Sequence, residues 1–543
     1  MAKIGENTVG TTMTLLSIQG MTCTTCASHI KNTLEAIDGI QHANVSYENA
    51  CADITGNANT DALIGAIEAL GYAARETKEQ QHVAIIGSGS GAFACAIKAA
   101  DGGARVTIIE GLELIGGCCV NVGCVPSKIL IRVAQLAQQQ RKNPFIGLEN
   151  HSPKLSRNLL AQQQAARVEE LRVAKYQNIL KSNASLSLIK GYAKFKDANT
   201  LTISSADGIK RELRADKILI STGSTPTIPP IDGLTETPYW TSTEALFAEK
   251  LPKHLVVIGS SVVALEIAQA YRRLGSRVTV IARHTLLYRE DPLLGERLTE
   301  CFEKEGMRVL NHTQATSVSH NGELFTLETN TGTLSCDRLL ISAGRHANTA
   351  LLNLAAVGVK TDQQGAIIVT ERMETNITGI YAAGDCSNMP KFVYVAAAAG
   401  SRAGINMTGG DAKLDLATMP TVIFTDPQVA TVGISEVQAN ALGIETDHRV
   451  LDMENVPRAL ANFETDGFIK LVVEKATGRL MGAQILAHEG GEIIQSVALA
   501  IRNNMTVTEL ADQLFPYLTM VEGLKLCAQT FTKNVNELSC CAG

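Results

Sequence analysis

Hydrophobic residues in the first 76 positions fall into six short stretches separated by polar turns. The stretches lie at residues 14–18, 30–37, 43–47, 50–54, 63–70 and 72–74. Their lengths and spacing predict the order strand, helix, strand, strand, helix, strand. This order is typical of a small α+β sandwich. A polar run follows, and we predict a linker at residues 77–82.

Two later segments each begin with a buried strand that leads into a glycine turn and a helix. The first opens at Val83 and the second at Leu255. Between them, the pattern predicts a long helix at residues 161–181 and an antiparallel meander at residues 193–213. From about residue 419, strands at 467–473 and 480–486 alternate with a helix at 492–503. The pattern therefore predicts an α/β protein with a ferredoxin-like βαββαβ domain first and an α+β domain last.

The glycine turn after the first strand has the spacing G-x-G-x-x-A, formed by Gly87, Gly89 and Ala92. Such a turn lets backbone N–H groups approach a pyrophosphate at a helix N-terminus. The next strand ends at Glu110, where a carboxylate accepts a hydrogen bond from a ribose hydroxyl. A glycine turn alone is weak evidence, but the two features together predict a dinucleotide site in a Rossmann-like domain.

The second turn departs from this spacing and keeps only Gly259, Ser261 and Ala264. The strand after it ends at Arg283, with Arg289 beyond. Cationic groups at this strand end accommodate a 2′-phosphate, whereas an acidic residue accepts the 2′-hydroxyl of NADH. The sequence therefore favours NADPH over NADH, and the alternative is that Arg283 is only a solvated charge.

Composition excludes several classes of function. The net charge of −6, without a Lys/Arg cluster, argues against a nucleic-acid partner. No uninterrupted apolar run reaches the roughly 18 residues of a membrane span. The N-terminal residues have no apolar core of a signal peptide, so we expect a cytoplasmic protein. Because cytosolic thiols stay reduced, the 13 cysteines indicate chemistry rather than a disulfide framework.

The cysteines Cys119 and Cys124 lie in the segment GGCCVNVGCVPSK, residues 116–128. Two cysteines at this spacing lie about one helical turn apart, within reach of a disulfide. The segment resembles the redox-active helix of the pyridine nucleotide–disulfide oxidoreductases of class I. The resemblance implies that Cys124 faces a flavin as the charge-transfer thiolate and that Cys119 is the interchange thiol. Cys118 stands where that family usually has threonine.

The resemblance runs from about residue 83 to the end of the chain and implies FAD and NADPH as cofactors. It implies that Glu266 pairs with Lys128 near the flavin ring. Two further segments resemble flavin-binding strands, at residues 218–224 and 375–385. The residues expected to bind FAD are Gly87, Gly89, Ala92, Glu110, Gly117, Cys118, Lys128, Ala193, Thr222, Gly223, Asp385 and Val393.

Domain boundaries follow from the patterns and the resemblance together. The patterns separate a small N-terminal domain at residues 1–76 from the linker at 77–82, and the resemblance implies an FAD-binding domain at 83–228 and 347–418 and an NADPH-binding domain at 229–346. The α+β dimerisation domain takes residues 419–543.

Three features, two near the C-terminus and one on the long helix, indicate what the substrate is. Disulfide reductases of this family use a histidine as proton shuttle, and Tyr517 occupies its position. A phenol is a poor proton shuttle at neutral pH. The tail ends with Cys540 and Cys541, soft donors for a soft metal. Together with Tyr176, these features resemble those of the mercuric reductases.

The N-terminal loop GMTCTTC places Cys23 and Cys26 at the start of a helix, where the dipole favours thiolates. It resembles the loop of heavy-metal-associated domains, and this resemblance implies such a domain at residues 1–76. The resemblance to mercuric reductases implies a homodimer in which Cys540, Cys541 and Tyr517 of one subunit face Cys119 and Cys124 of the other. Hg(II) would pass between thiolate pairs, arriving free or as a thiol complex. The alternatives are an NADPH-dependent organic disulfide reductase and a metal buffer without catalysis.

Overall fold

The computed structural model describes residues 12–76 and 80–538. These residues divide into two compact units. One unit holds the residues up to His82 together with residues 103–105, and the other holds the rest. The described residues end at 538, so the predictions for Cys540 and Cys541 lie outside them.

The N-terminal unit has the predicted βαββαβ order. Its four strands form one antiparallel sheet in the order β2-β3-β1-β4, and the helices bury Ile30, Leu34, Leu63 and Ile67 in its core. Its elements are β1 (Thr12–Gln19), α1 (Thr24–Glu35), β2 (Ile40–Ser46), β3 (Cys51–Gly56), α2 (Thr60–Ala69) and β4 (Ala73–Glu76).

The second unit opens with a parallel sheet and an antiparallel meander. Strand β5 begins at His82, the last residue of the predicted linker. The elements are β5 (His82–Ile86), α3 (Ser90–Asp101), β6 (Arg105–Glu110), α4 (Gly117–Val122), α5 (Cys124–Arg141), α6 (Arg157–Arg172), α7 (Asn178–Ser182), β7 (Leu186–Lys190), β8 (Tyr192–Asp197), β9 (Thr200–Ser204), β10 (Lys210–Arg214), β11 (Lys217–Ile220) and β12 (Ser224–Pro226).

The following segment repeats this plan on a smaller scale. It contains a parallel sheet with the strand order β15-β14-β13-β19 and a separate antiparallel meander with the order β16-β17-β18. Its elements are α8 (Ser242–Phe247), β13 (His254–Ile258), α9 (Val262–Leu274), β14 (Arg277–Ile281), α10 (Pro292–Lys304), β15 (Arg308–Leu310), β16 (Ala315–His320), β17 (Phe325–Thr329), β18 (Gly332–Cys336), β19 (Arg338–Ile341) and β20 (Arg345–Ala347).

The chain then returns to the first sheet through β21 (Ile380–Ala382) and α11 (Val393–Met407). Strand β21 completes the parallel order β21-β11-β5-β6-β7. Helix α11 packs along α3, with Gly400 against the backbone of Gly91. This return explains why the first domain is built from two separate stretches of sequence.

The last domain is an antiparallel sheet in the order β22-β23-β26-β25-β24 with helices on its face. Its elements are β22 (Thr421–Ile423), β23 (Gln428–Gly433), α12 (Glu436–Ala441), β24 (Thr446–Asp452), α13 (Pro457–Asn462), β25 (Phe468–Glu474), β26 (Leu480–Ala487), α14 (Gly490–Arg502), α15 (Val507–Asp512) and α16 (Glu522–Gln529). The predicted α/β fold class, with two Rossmann-like units and an α+β domain, is confirmed.

The long helix predicted at residues 161–181 starts four residues earlier, at Arg157. Ser156 caps it by accepting a hydrogen bond from the backbone N–H of Leu159 at 3.4 Å. Its last third contains one wider turn, a π-helix at Val173–Gln177, before α7 continues the helix. Such turns change the direction in which side chains point and are frequent at functional sites.

One helical stretch within the described residues, Gly117–Arg141, is long and apolar enough by length and composition to cross a membrane. Buried helices of ordinary domains meet the same criterion. This stretch is interrupted at Gly123 and packs against α6 and α9. The sequence prediction of no membrane insertion therefore remains a prediction.

Candidate active site

Cys119 and Cys124 lie on either side of the break between α4 and α5. Gly123 makes this break with φ −128° and ψ −114°, and Cys124 is the first residue of α5. Both cysteines are free thiols, and their side chains are hydrogen-bonded to each other. The kink thus brings two thiols from consecutive helices together.

The two thiols differ in acidity. The hydrogen bond from Cys119 and the charge of Lys128 outweigh burial and the repulsion of Glu266, and they lower the pKa of Cys124 to about 7. The same hydrogen bond, together with burial, raises the pKa of Cys119 well above its ordinary value. At neutral pH the pair is therefore poised as one thiolate and one thiol, the form in which thiolate attack or metal binding begins.

The predicted pairing of Lys128 with Glu266 is confirmed. Lys128 Nζ donates to Glu266 Oε2 at 2.8 Å, and the Glu266 side chain is 4% exposed. The backbone N–H of Phe424 donates to the other carboxylate oxygen at 2.9 Å. Lys128 Nζ also lies 4.4 Å from the centre of the Phe424 ring. Helix α9 and the start of the last domain therefore fix a positive charge beside the cysteine pair.

Tyr176 lies in the π-helix, beside the cysteine pair. Its hydroxyl is 3.3 Å from Ser90 Oγ, and its ring meets the Phe93 ring edge-on, with centroids 4.8 Å apart. Burial raises the pKa of Tyr176, and the charges of Cys119 and Cys124 act in the same direction. The phenol therefore stays protonated next to the two sulfur atoms.

The first glycine turn forms a cradle of backbone. A Cβ on Gly87 would overlap the carbonyl oxygen of Ser221, and a Cβ on Gly117 would lie 2.6 Å from Gly89 Cα. Both positions have positive φ, +106° and +66° respectively. Helix α3 starts just beyond, and no side chain caps its first N–H groups. Ala92 is fully buried behind it.

Glu110 ends β6 next to this cradle. Ser88 Oγ donates to one carboxylate oxygen at 2.5 Å, and the backbone N–H of Leu112 donates to the other at 2.8 Å. These donors hold the carboxylate in place, and each oxygen keeps a lone pair that can accept a further hydrogen bond. The position fits a ribose-binding role.

Cys118 and Asp385 both lie close to Arg345, a residue that the sequence analysis did not identify. Arg345 Nη2 lies 3.8 Å from Cys118 Sγ, and Arg345 Nε lies 3.9 Å from Asp385 Oδ2. Ser224 Oγ donates to Asp385 at 2.7 Å and accepts from Arg345 at 2.8 Å. Burial raises the pKa of Cys118 although Arg345 opposes this, so Cys118 is the less acidic neighbour of Cys124.

The remaining predicted FAD contacts come from several elements. Thr222 and Gly223 follow β11, where Thr222 Oγ1 donates to the carbonyl of Asn348 at 2.7 Å and Gly223 has φ +71°. Ala193 is buried on β8, and Val393 begins α11.

The second turn lies at the C-terminal end of β13. A Cβ on Gly259 would overlap the carbonyl oxygen of Ser342, and Ala264 is fully buried below it. Ser261 precedes α9 without capping it through its side chain. Arg283 is exposed just beyond β14.

Basic and aromatic side chains cluster after Arg283. The ring centres of His284 and Tyr288 are 4.5 Å apart, and Arg289 Nε donates to the Tyr288 hydroxyl at 2.9 Å. This cluster fits the expected site for a 2′-phosphate.

Cys23 and Cys26 form a second thiol pair, in the N-terminal unit. Cys23 occupies the N-cap position of α1, and the two sulfur atoms are 3.6 Å apart. Hydrogen bonds from the Tyr72 hydroxyl and from Thr22 lower the pKa of Cys26 to about 6. Tyr72, which the sequence reasoning missed as a site residue, follows Gly71 directly at the end of α2.

Tyr517 lies in the segment before α16 and is 56% exposed. Glu522 opens α16 and is buried, and burial raises the pKa of its carboxyl. Family resemblance identified Tyr517, whereas the contacts of Arg345, Ser88 and Phe424 carry no local sequence signal.

The fold and the site define a flavin-linked class of pyridine-nucleotide oxidoreductase. The family described as pyridine nucleotide-disulphide oxidoreductase matches residues 81–400, and its dimerisation domain matches residues 419–528. The heavy-metal-associated domain matches residues 15–73. The chain belongs to the pyridine nucleotide-disulphide oxidoreductase family.

Within that family, the chain is similar to proteins named mercuric reductase. The protein of Shewanella putrefaciens is 74% identical over 98% of this chain and 100% of its own length. The protein of Shigella flexneri is 54% identical over 98% and 100%. The protein of Staphylococcus aureus is 36% identical over 97% and 99%.

Solved structures agree with this family. The Cu(II) complex of the HOCl-induced flavoprotein disulfide reductase RclA from Escherichia coli superposes with a TM-score of 0.75 at 27% identity, covering 84% of this chain and all of that chain. LpdA from Mycobacterium tuberculosis has a TM-score of 0.74 at 29% identity and covers 83% of this chain and all of its own.

Proposed function

We propose that this chain is a mercuric reductase that reduces Hg(II) to Hg(0) with electrons from NADPH, by way of FAD and the Cys119–Cys124 pair. The observation that carries the proposal is the pair of thiols at the break between α4 and α5, where the hydrogen bond from Cys119 lowers the pKa of Cys124. Its relatives named mercuric reductase span nearly the whole chain.

FAD fits the first glycine cradle. The positive φ at Gly87 and Gly117, the uncapped start of α3 and the oriented Glu110 carboxylate match a diphosphate followed by a ribose. When bound, FAD accepts a hydride equivalent from NADPH and supplies two electrons. Lys128 and Glu266 place one positive charge and its counter-ion beside the ring.

Hg(II) is the substrate, and both sulfurs of the pair are suited to bind it. Thiolates are soft donors, and Hg(II) accepts two of them in a linear arrangement. When Hg(II) arrives with two thiolate ligands, each sulfur of the pair displaces one of them, so two Hg–S bonds break as two form, and the proton of Cys119 leaves on one released thiol. Addition of two electrons breaks both Hg–S bonds and leaves Hg(0) and two thiolates. Tyr176 lies at the edge of this site, and its raised pKa keeps the hydroxyl protonated.

The C-terminal domain distinguishes this substrate from an organic disulfide. Reduction of a disulfide needs a proton for the leaving thiolate, and Tyr517 replaces the histidine that delivers it. Reduction of bound Hg(II) needs no proton at sulfur. This difference favours mercury over the organic disulfide alternative.

The chain forms a homodimer and binds Hg(II) through its heavy-metal-associated domain. We further propose that Cys540, Cys541 and Tyr517 of one subunit serve Cys119 and Cys124 of the other. Cys23 and Cys26 would capture thiol-complexed Hg(II), because the low pKa of Cys26 keeps a thiolate ready for ligand exchange. The domain boundaries given above and a cytoplasmic location, which keeps the thiols reduced, belong to this proposal.

The test is NADPH oxidation by the purified holoenzyme with Hg(II) in excess thiol, compared with glutathione disulfide. We expect turnover with Hg(II) and little with the disulfide. Replacement of Cys540 and Cys541 by alanine should abolish turnover on thiol-complexed Hg(II) while reduction of the flavin by NADPH persists. No acceleration of NADPH oxidation by Hg(II) would refute the proposed function.

A further inference from the structure

A cavity lies on the side of the Lys128–Glu266 pair that faces the last domain. Helices α5 and α9 form two of its walls, and residues 424–428 and His488 form the third. Its lining includes six ionisable side chains: Lys128, Arg132, Glu266, Arg273, Asp426 and His488. The catalytic proposal above uses only Lys128 and Glu266.

Residues 424–426 are hydrogen-bonded to side chains of α9 at both ends of the segment. The N–H of Phe424 donates to Glu266 Oε1 at 2.9 Å. The N–H of Asp426 donates to Gln269 Oε1 at 2.8 Å, and Gln269 Nε2 donates to the carbonyl of Asp426 at 2.7 Å. A shift of this segment therefore moves the hydrogen-bond donor that orients Glu266, and Glu266 in turn orients Lys128.

The side chain of Asp426 is held by two cationic groups. Arg273 Nη1 lies 2.8 Å from Asp426 Oδ2, and His488 Nδ1 lies 3.3 Å from Asp426 Oδ1. Burial would raise the pKa of Asp426, but the hydrogen bond with His488 and the charge of Arg273 lower it to about 2. Both partners therefore help to keep the buried Asp426 carboxyl ionised.

His488 also faces a second carboxylate. Its Nε2 lies 3.7 Å from Glu464 Oε2, while Glu489 lies next to it in the chain. The hydrogen bond with Asp426 raises the pKa of His488, and this effect outweighs burial, which acts to lower the pKa. Arg273 on α9 is a second cation on the same Asp426 carboxylate, and it is also paired with Glu305.

We propose that His488 is a positioning residue, which clamps residues 424–426 through Asp426 and thereby holds Glu266 and Lys128 at the cysteine pair. The inference rests on the proposed redox role of Cys124, whose thiolate Lys128 stabilises. Protonated His488 donates to Asp426 Oδ1 at 3.3 Å and carries its positive charge 3.7 Å from Glu464 Oε2. Above its raised pKa the imidazole loses the charge that attracts both carboxylates, so the clamp is strongest at lower pH and loosens as pH rises.

The test is the pH dependence of Cys124 alkylation by iodoacetamide in the reduced holoenzyme, followed by peptide mass spectrometry. In H488A the midpoint for Cys124 should rise by about half a pH unit, because Lys128 stabilises the thiolate less well. H488Q, which keeps one donor for Asp426, should give an intermediate midpoint. H448Q is the matched control, since His448 lies 3.2 Å from Glu436 in the same domain.

An unchanged midpoint in H488A, or an equal rise in H448Q, would overturn the inference. Thermal unfolding and the flavin spectrum of each variant establish that it is folded, and if H488A does not fold, H488Q alone decides the question. Failure of the proposed function is a separate result: wild-type enzyme would then not oxidise NADPH with Hg(II), whatever the alkylation midpoints are.

Discussion

At the scale of single residues, the lowered pKa of Cys124 and that of Cys26 each have as their largest cause a hydrogen bond from one neighbouring side chain. Cys119 provides this bond for Cys124, and Tyr72 provides it for Cys26. In both pairs the effect is to supply one thiolate at neutral pH, which is the nucleophile in ligand exchange. The two pairs thus reach a similar chemical state through different donors, a thiol and a phenol.

The role of Tyr72 can be tested directly. Y72F removes the hydroxyl, so the pKa of Cys26 should rise from about 6 by about one unit or more. The pH midpoint of Cys26 alkylation by iodoacetamide measures this rise. Y47F is the control, because Tyr47 lies in the turn between β2 and β3 of the same unit. An equal midpoint in Y72F and wild type would contradict the assignment.

The glycine cradle gives a second prediction at this scale. G117A places a Cβ 2.6 Å from Gly89 Cα at a residue with φ +66°. We expect a cost of about 1–2 kcal/mol from the left-handed conformation alone, together with loss of bound FAD. The ratio of flavin to protein absorbance measures the loss. G147A, with open space around its Cβ, should keep the wild-type ratio.

At the scale of elements, two irregularities in helices create the site. The break at Gly123 turns one long helical stretch into α4 and α5, and the π-helix at Val173–Gln177 aims Tyr176 at that break. Arg172 Nη1 donates to Asn121 Oδ1 at 2.9 Å and so joins the two regions. Regular helices in these places would give the same hydrophobic core but a different arrangement of the cysteines and the tyrosine.

A buried ion pair joins the second Rossmann-like unit to the last domain. Lys470 Nζ on β25 lies 2.8 Å from Asp291 Oδ2, and these side chains are 8% and 3% exposed. Asp291 also caps α10 by accepting from the N–H of Leu293 at 3.1 Å. The pair therefore anchors the loop that carries Arg289 and its basic neighbours.

K470M leaves the Asp291 charge buried and only partly compensated, and we expect a cost of about 3–5 kcal/mol. Thermal unfolding should show a clear fall in the midpoint, and D291N added to K470M should recover part of it. K475M is the control, since Lys475 and Glu445 form an exposed pair at 3.6 Å. A wild-type midpoint in K470M would contradict this account.

At the scale of the whole molecule, the decisive question is which subunit supplies the C-terminal cysteines. Co-expression of C119A/C124A chains with C540A/C541A chains yields heterodimers in which one subunit has the redox pair and the other has the tail. If the sites are shared, each heterodimer has one complete site, and NADPH oxidation with Hg(II) should recover to about half of the wild-type rate per dimer. Both parent homodimers serve as inactive controls. Heterodimers without activity would mean that each tail serves its own subunit.

The sequence by itself determined the elements, the two glycine turns and both cysteine pairs, because these depend on residues close together in the chain. Periodicity located the βαββαβ unit, and five-residue spacing identified Cys119 and Cys124. The pairing of Lys128 with Glu266 came from family resemblance and not from any local pattern. The tail cysteines were recognised from sequence, and their placement lies outside the described residues.

Only the tertiary structure revealed that Arg345 meets Cys118 and Asp385, that Phe424 orients Glu266, and that His488 holds Asp426. These partners are separated by tens to hundreds of positions, and hydrophobic periodicity specifies which face of an element is buried but not which side chains meet across it. Packing between domains therefore decided how Lys128 is held, whereas the hydrogen bond that contributes most to the low pKa of Cys124 comes from Cys119, five residues away.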